Sequence, residues 1–246
     1  MNSNTLVPHD CFLALTSKYS VSIPEKWKLE FCTENACAEK QGGVSLWCIQ
    51  NGSTGCIPLF PWRSERRFIE LQRIVDTKTL EDVVLCRFSC VTDNSSTLNR
   101  ILYQEFDLLE WIIGSPIVSV SAATNGNQFS NVLVRLENGT IASVEAGTTL
   151  PTGTETLDRH ELIARRGVAS DRVVDTHIPQ QSVYLFDKNG VQSWTDTDAE
   201  LFGLSNGEID AVRAAFELAK NPAMTESNIT RHKHLLELVQ QLNNET

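Results

Sequence analysis

The stretch RILYQEFDLLEWIIG, residues 100–114, runs almost directly into IVSVSAAT at 117–124. In the first segment Ile101, Phe106, Leu108, Leu109, Ile112 and Ile113 recur at largely helical spacing, and Gly114 followed by Pro116 stops the helix. In the second, Val118 and Val120 alternate with small polar residues, which is the period of a strand. After Asn125-Gly126, the run NVLVRLENGTIASVEAG at 131–147 reads as two strands closed by a tight Asn138-Gly139 turn. A helix therefore feeds a large open, mainly antiparallel sheet, and the fold class is α+β.

Outward from this centre, PWRSERRFIELQRIVD (61–76) has the pattern of an amphipathic helix with Phe68, Leu71, Ile74 and Val75 inward. Arg63, Arg66, Arg67 and Arg73 then fall on its outer face, where a solvated charged surface is the ordinary outcome in an acidic protein. EDVVLCRFSCV (81–91) begins the large sheet, with Cys86 and Cys90 on one face of the strand. The segment 159–194 supplies further strands, with Gly167 and Asn189-Gly190 as turns. NGEIDAVRAAFELAKN (206–221) and TESNITRHKHLLELVQQL (225–242) close the chain as two helices, with Ser205 or Asn206 and Thr225 as N-caps.

With 246 residues, 41% of them apolar and 21% charged, the chain can bury a substantial core. A net charge of −10 argues against nucleic-acid or anionic-membrane binding, which needs a basic face. No stretch is apolar enough to span a bilayer, and MNSNTLVPHD lacks the basic start and apolar run of a signal peptide, so a cytoplasmic protein is expected. Seven cysteines (Cys11, Cys32, Cys37, Cys48, Cys56, Cys86 and Cys90) occur without a C-x-x-C pair. That spacing favours reduced thiols used as small core hydrophobes over a zinc site. His232 and His234, two apart on a helix, make a poor metal pair, and His160 and His177 read as satisfied structural histidines.

Residues 100–147 resemble the family of glucose-fructose oxidoreductase, inositol dehydrogenase and MocA. Its members show Asp-x-Gly-x-His, a helix of the type D-L-L-x-W-x-x-G, then a strand and an E-N-G hairpin. Asp107, Leu108, Leu109, Trp111 and Gly114 match that helix. The resemblance extends more loosely outward. YSVSIPEKW (19–27) is similar to the family's Glu-Lys-Pro strand, with Glu25 and Lys26 in place but Trp27 for Pro. It implies that residues 1–56 are the truncated remnant of a Rossmann-like, doubly wound dinucleotide-binding domain. Residues 57–246 would be the C-terminal substrate and dimerisation domain, with helices on one face of its sheet and a homodimer through the other.

The departures from that pattern carry the functional expectation. Aligned on Asp107, the family's Asp, Gly and His positions hold Arg100, Leu102 and Gln104. A carboxamide has no pKa near working pH and cannot replace an imidazole as acid or base, and arginine is a poor base. The Gly-x-Gly-x-x-Gly turn that lets backbone approach a pyrophosphate is absent, since Gly42-Gly43 and Gly52/Gly55 have the wrong spacing. The expected protein is non-catalytic and binds a sugar-like ligand or a partner subunit, with Lys26, Arg100, Gln104 and Asp107 as the candidate pocket residues. No cofactor is expected to bind the chain alone. The alternative is one subunit of a split sugar or polyol dehydrogenase, where an oxidoreductase partner chain completes an NAD(P) site.

Overall fold

A computed structural model describes residues 7–32, 44–52, 55–171, 183–187, 190–194 and 203–244. The central helix α3 (Leu98–Ile113) starts where the Thr97 hydroxyl accepts the Arg100 N–H, and ends on Gly114 at φ 69°, a left-handed position that glycine adopts without steric cost. The strands β4 (Val83–Asp93), β5 (Ile117–Asn125), β6 (Phe129–Leu136), β7 (Ile141–Leu150), β8 (Leu157–Ala164) and β9 (Gly167–Ser170) form one sheet in the order β5-β6-β7-β4-β8-β9. Neighbours in it are antiparallel except β4 and β7, which pair in parallel. The hairpin expected at Asn138-Gly139 is present between β6 and β7, and β5 and β6 form a further antiparallel pair.

Alternation along these strands separates two faces. Cys86, Phe88, Cys90, Val132, Val134, Ala142, Val144 and Leu162 point into the core against α3, while Val84, Leu133, Ile141 and Val168 are exposed on the opposite face. The helices α2 (Arg66–Asp76) and α5 (Met224–Asn244) pack on α3 from the core side, so α3 is enclosed nearly all round. Met224 starts α5, placing Thr225 inside the first turn rather than at the cap. Ser205 does precede α4 (Asn206–Lys220), where the Glu208 carboxylate accepts its N–H at 2.8 Å and its hydroxyl at 2.7 Å.

The N-terminal unit joins α1 (Pro8–Lys18) to a three-stranded sheet of β1 (Trp27–Cys32), β2 (Leu46–Asn51) and β3 (Cys56–Pro58). Both pairings in this sheet are antiparallel. One face of this sheet, with Trp27, Leu29, Ile49 and Ile57, buries against Phe12 and Leu15 of α1 and against Val212, Ala215 and Leu218 of α4. The other face, with Cys32, Leu46 and Cys48, joins the main core. The hairpin β10 (Val183–Asp187) with β11 (Gly190–Trp194) pairs as a separate two-stranded sheet. His177 and Cys37 lie outside the described residues.

Candidate functional site

The enclosed helix α3 carries three buried carboxylates, Glu105, Asp107 and Glu110, and each must find a cation because an isolated buried charge is very costly. Asp107 accepts from Trp62 Nε1 at 2.7 Å, Arg63 Nε at 2.8 Å and Arg231 Nε at 2.9 Å. Glu110 accepts from the Ile117 amide and faces His234 Nε2 at 3.0 Å. Arg231 Nη1 stands 2.6 Å from Glu110 Oε2 as a charge contact, without the angle of a hydrogen bond. Asp107 is thus the bolt joining α3, α5 and the 3-10 turn Pro61–Ser64, and it is not among the residues lining the cavity at the N-terminus of α3.

Glu105 meets a different partner. His160, on the inward face of β8, sits between the edges of the Phe68 and Phe88 rings, with Nε2 at 2.9 Å from Glu105 and Nδ1 at 2.6 Å from Asp171. Burial pulls the imidazole pKa down, but the two carboxylates outweigh it and push it up to about 10, so the ring is charged at neutral pH. Asp171 is raised by burial, yet His160 and Arg67 hold it below the usual carboxylate range. Arg67 extends the chain of charges, donating to Asp171 at 3.1 Å, Asp158 at 2.6 Å and Glu65 at 2.7 Å.

At the outer end of this chain lies a cavity of about 480 Å³ between the N-terminus of α3, the end of β4, the start of β2 and β8. Arg100 and Gln104 both line it, one helical turn apart, and Arg100 Nη1 donates to Gln104 Oε1 at 3.1 Å. The Arg100 guanidinium lies 4.6 Å from the centre of the Trp62 ring, and burial lowers its pKa. Among the described residues no carboxylate stands within ion-pair distance of it. Ser45, Thr92, Ser95, Ser96 and Thr97 add side-chain hydroxyls, Glu65 and Asp158 add carboxylates, and Phe31 adds an aromatic edge. Burial raises the Glu65 carboxyl, against the lowering effect of Arg67.

The four sequence-predicted residues therefore divide. Arg100 and Gln104 share the cavity. Asp107 is held in its ion cluster, and Lys26 is an exposed turn residue before β1, at the strand end remote from Phe31. At roughly 3.3 Å per strand residue, that is about 16 Å away. The arginines of 61–76 do not share one solvated face either. Arg66 and Arg73 are exposed beside Glu70, but Arg63 and Arg67 reach buried or pocket carboxylates. The cause is a break in the helix at Glu65, whose extended φ −70°, ψ 127° separates the 3-10 turn from α2.

A pyrophosphate cradle needs a glycine-rich turn between a strand and a helix N-terminus. Among the described residues, the connections leading into α2 and α3 contain no glycine. Gly52 and Gly55 sit between antiparallel β2 and β3, and a side chain added at Gly52 would meet Lys26 Cδ at 3.1 Å. These turns do not fit a dinucleotide pyrophosphate.

No known protein-family profile matches the chain, and no curated protein is similar to it in sequence. Solved structures do match its fold. One is scyllo-inositol dehydrogenase from Lactobacillus casei with bound NAD(H) and scyllo-inositol, at 16% identity and a TM-score of 0.52, over 76% of this chain and 62% of that one. Another is an oxidoreductase from Agrobacterium radiobacter in complex with NAD+, L-tartaric acid and magnesium, at 12% identity and 0.56, over 75% and 60%. A third is myo-inositol 2-dehydrogenase from Lactobacillus plantarum, at 13% and 0.52, over 75% and 60%. The fold is that of inositol-dehydrogenase-type oxidoreductases, and the chain spans about three fifths of the length of these structures.

Proposed function

We propose that the chain is a non-catalytic relative by fold of the polyol dehydrogenases, binding a polyhydroxylated, sugar-like ligand in the cavity at the N-terminus of α3. The observation that carries this is the lining: Arg100, with no carboxylate in ion-pair distance among the described residues, beside Arg67, a carboxamide, a row of hydroxyls and two carboxylates, with no imidazole among the lining residues. Hydroxyl groups of a polyol both donate and accept, so they suit a wall that mixes carboxylate acceptors with Arg100 and Gln104 donors. A phosphate is a poorer match, because Arg67 is already committed to three carboxylates. His160 has both ring nitrogens engaged by Glu105 and Asp171 and does not line the cavity, so it supplies no proton transfer to a bound ligand.

Calorimetric titration of the purified chain with scyllo-inositol, myo-inositol and glucose tests this reading. At least one should bind, and Gln104→Leu or Arg100→Ala should weaken it about tenfold or more, the size of one or two lost hydrogen bonds, one of them charged. Oxidised and reduced nicotinamide dinucleotides should give no heat. Polyol binding indifferent to both substitutions, or micromolar dinucleotide binding by the chain alone, would sink the proposal.

A second reading starts from the connections into α2 and α3, which hold no glycine-rich cradle for a pyrophosphate. In it a partner oxidoreductase chain supplies the nucleotide-binding part and this cavity receives the polyol; dinucleotide binding would then appear only on mixing the two chains.

We also propose that the exposed sheet face is covered in a homodimer. Val84, Val118, Leu133, Ile141, Leu157 and Val168 put one large apolar side chain on each of its six strands, and Leu133 and Val168 are each 60% exposed. Exposed apolar side chains on every strand of a sheet face suit an association surface. Light scattering should give twice the chain mass of 27.4 kDa, and Leu133→Glu with Ile141→Lys should return it to the monomer. A wild-type monomer at high micromolar concentration would refute it.

A further inference from the structure

An arginine side chain holds its N–H donors in a planar fork. Among the described residues Arg100 hydrogen-bonds only Gln104, from Nη1 to Oε1 at 3.1 Å, and its guanidinium lies 4.6 Å from the centre of the Trp62 ring. Glu105 and Asp107 favour its charge from farther away, but each is held by other cations: Glu105 by His160, and Asp107 by Arg63 and Arg231. The two carboxylates that line the cavity are engaged as well, since Glu65 and Asp158 both accept from Arg67. A guanidinium partly withdrawn from water with no ion partner in reach carries a desolvation cost, which an anion entering the cavity would offset. The first turn of α3, at the same wall, adds its partial positive charge. Phe31 and Ser45, which also line the cavity, belong to a stapled part of the chain. Cys32 opposes Leu46, which sets Cys48 diagonally across at a Cα separation of 6.3 Å, and the two form a disulfide in place of the reduced thiols expected from their spacing.

We propose that the ligand of this cavity is a polyhydroxylated monocarboxylate, an aldonate or uronate, whose carboxylate pairs with the Arg100 guanidinium. The inference rests on the polyol reading of the cavity and adds one group to it. Carboxylate and guanidinium are both planar and match as a two-pronged pair, which a single arginine can complete. A phosphate dianion calls for a second cation, and Arg67 is committed elsewhere. The hydroxyl-bearing part of the ligand is left to the Ser and Thr hydroxyls and to the acceptors Glu65 and Asp158. Those two carboxylates repel a second acid group, so a diacid should bind less well than the matching monoacid. At about 480 Å³ the cavity lies in the range of small-molecule sites and has room for a six-carbon acid.

Calorimetric titration of the full chain with D-glucose, D-gluconate, D-glucuronate, D-glucarate and acetate tests this at neutral pH. At least one of gluconate and glucuronate should bind at least tenfold more tightly than glucose, the gain of a charged, two-pronged contact. Glucarate should bind more weakly than gluconate, and acetate, without hydroxyls, should give no heat. Arg100→Gln should abolish the gain of acid over glucose, and Arg100→Lys, which keeps the charge without the fork, should retain part of it. If glucose or an inositol binds as tightly as both monoacids, the carboxylate inference falls and the polyol reading stands. Acetate binding as tightly as the monoacids would overturn it too, by showing a simple anion site. No binding by any polyol, acidic or neutral, would remove the polyol reading and this inference with it. The comparison of acid with glucose on the unaltered chain decides the matter even if an Arg100 variant fails to fold.

Discussion

Asp107→Asn is expected to lower the unfolding free energy by about 3–5 kcal/mol, the usual cost of removing one partner from a buried ion cluster. The carboxylate is fully buried and is the common acceptor for Trp62, Arg63 and Arg231. An amide there keeps the volume but loses the charge, leaving two guanidinium groups without their shared counterion and turning one oxygen into a donor that faces other donors. For a chain of this size the loss corresponds to a drop of roughly 10 °C in melting temperature. Arg66→Ala is the control. Arg66 lies three residues from Arg63, pairs with Glu70 at 4.0 Å and is largely exposed, so its removal should change stability by under about 0.5 kcal/mol. Chemical denaturation of the two variants decides it. If Asp107→Asn is no worse than Arg66→Ala, the buried cluster does not hold α3 to α5.

The contrast between those two arginines shows where sequence reading reaches its limit. Periodicity was sufficient for α3, for Cys86 and Cys90 sharing a face of β4, for the alternation of β6 and β7 and for the Asn138-Gly139 hairpin, because each depends on neighbours within a few residues, but it missed the bulge in β5 that leaves Val118 exposed and Val120 buried. It also placed Arg100 and Gln104 together, since residues four apart share a helix face. Periodicity missed the break at Glu65, and with it the inward turn of Arg63 and Arg67. It could not distinguish Asp107 as a structural bolt from Asp107 as a ligand group. The partners that decide this are Arg63 and Arg231, 44 and 124 residues away. A signal was nonetheless available: Glu105, Asp107 and Glu110 interrupt a helix that is apolar on nearly every side, and such carboxylates demand buried cations elsewhere in the chain. The antiparallel N-terminal sheet left no such mark, because short strands of Trp, Leu, Ile and Cys read alike in either pairing direction.

The second large effect is a stability that declines on the alkaline side through His160. The imidazolium is fully buried between Glu105 and Asp171, and its folded pKa of about 10 lies above the roughly 6.5 of the unfolded chain. A group raised in this way contributes fully below pH 6.5 and loses its contribution as pH climbs towards 10, because only the unfolded state releases the proton. One proton released across pH 6.5–8.5 lowers the unfolding free energy by about 3 kcal/mol. The window stops there because buried thiols contribute above it: Cys86, pushed up to about 12 by burial, ionises only in the unfolded chain. His160→Gln preserves two polar contacts without the charge. It should be less stable than wild type at pH 6 and should lack the decline between 6.5 and 8.5. The groups facing the ring are Glu105 from α3, Asp171 beyond β9, and the Phe68 and Phe88 rings from α2 and β4. On the acid side Asp171, held below its ordinary pKa, contributes above about pH 4 and loses that contribution as pH falls through its folded value. Urea titrations of both proteins at half-unit pH steps separate the possibilities. Parallel slopes from pH 6.5 to 8.5 would mean that His160 is buried neutral, and that Glu105 is satisfied by some means other than an imidazolium.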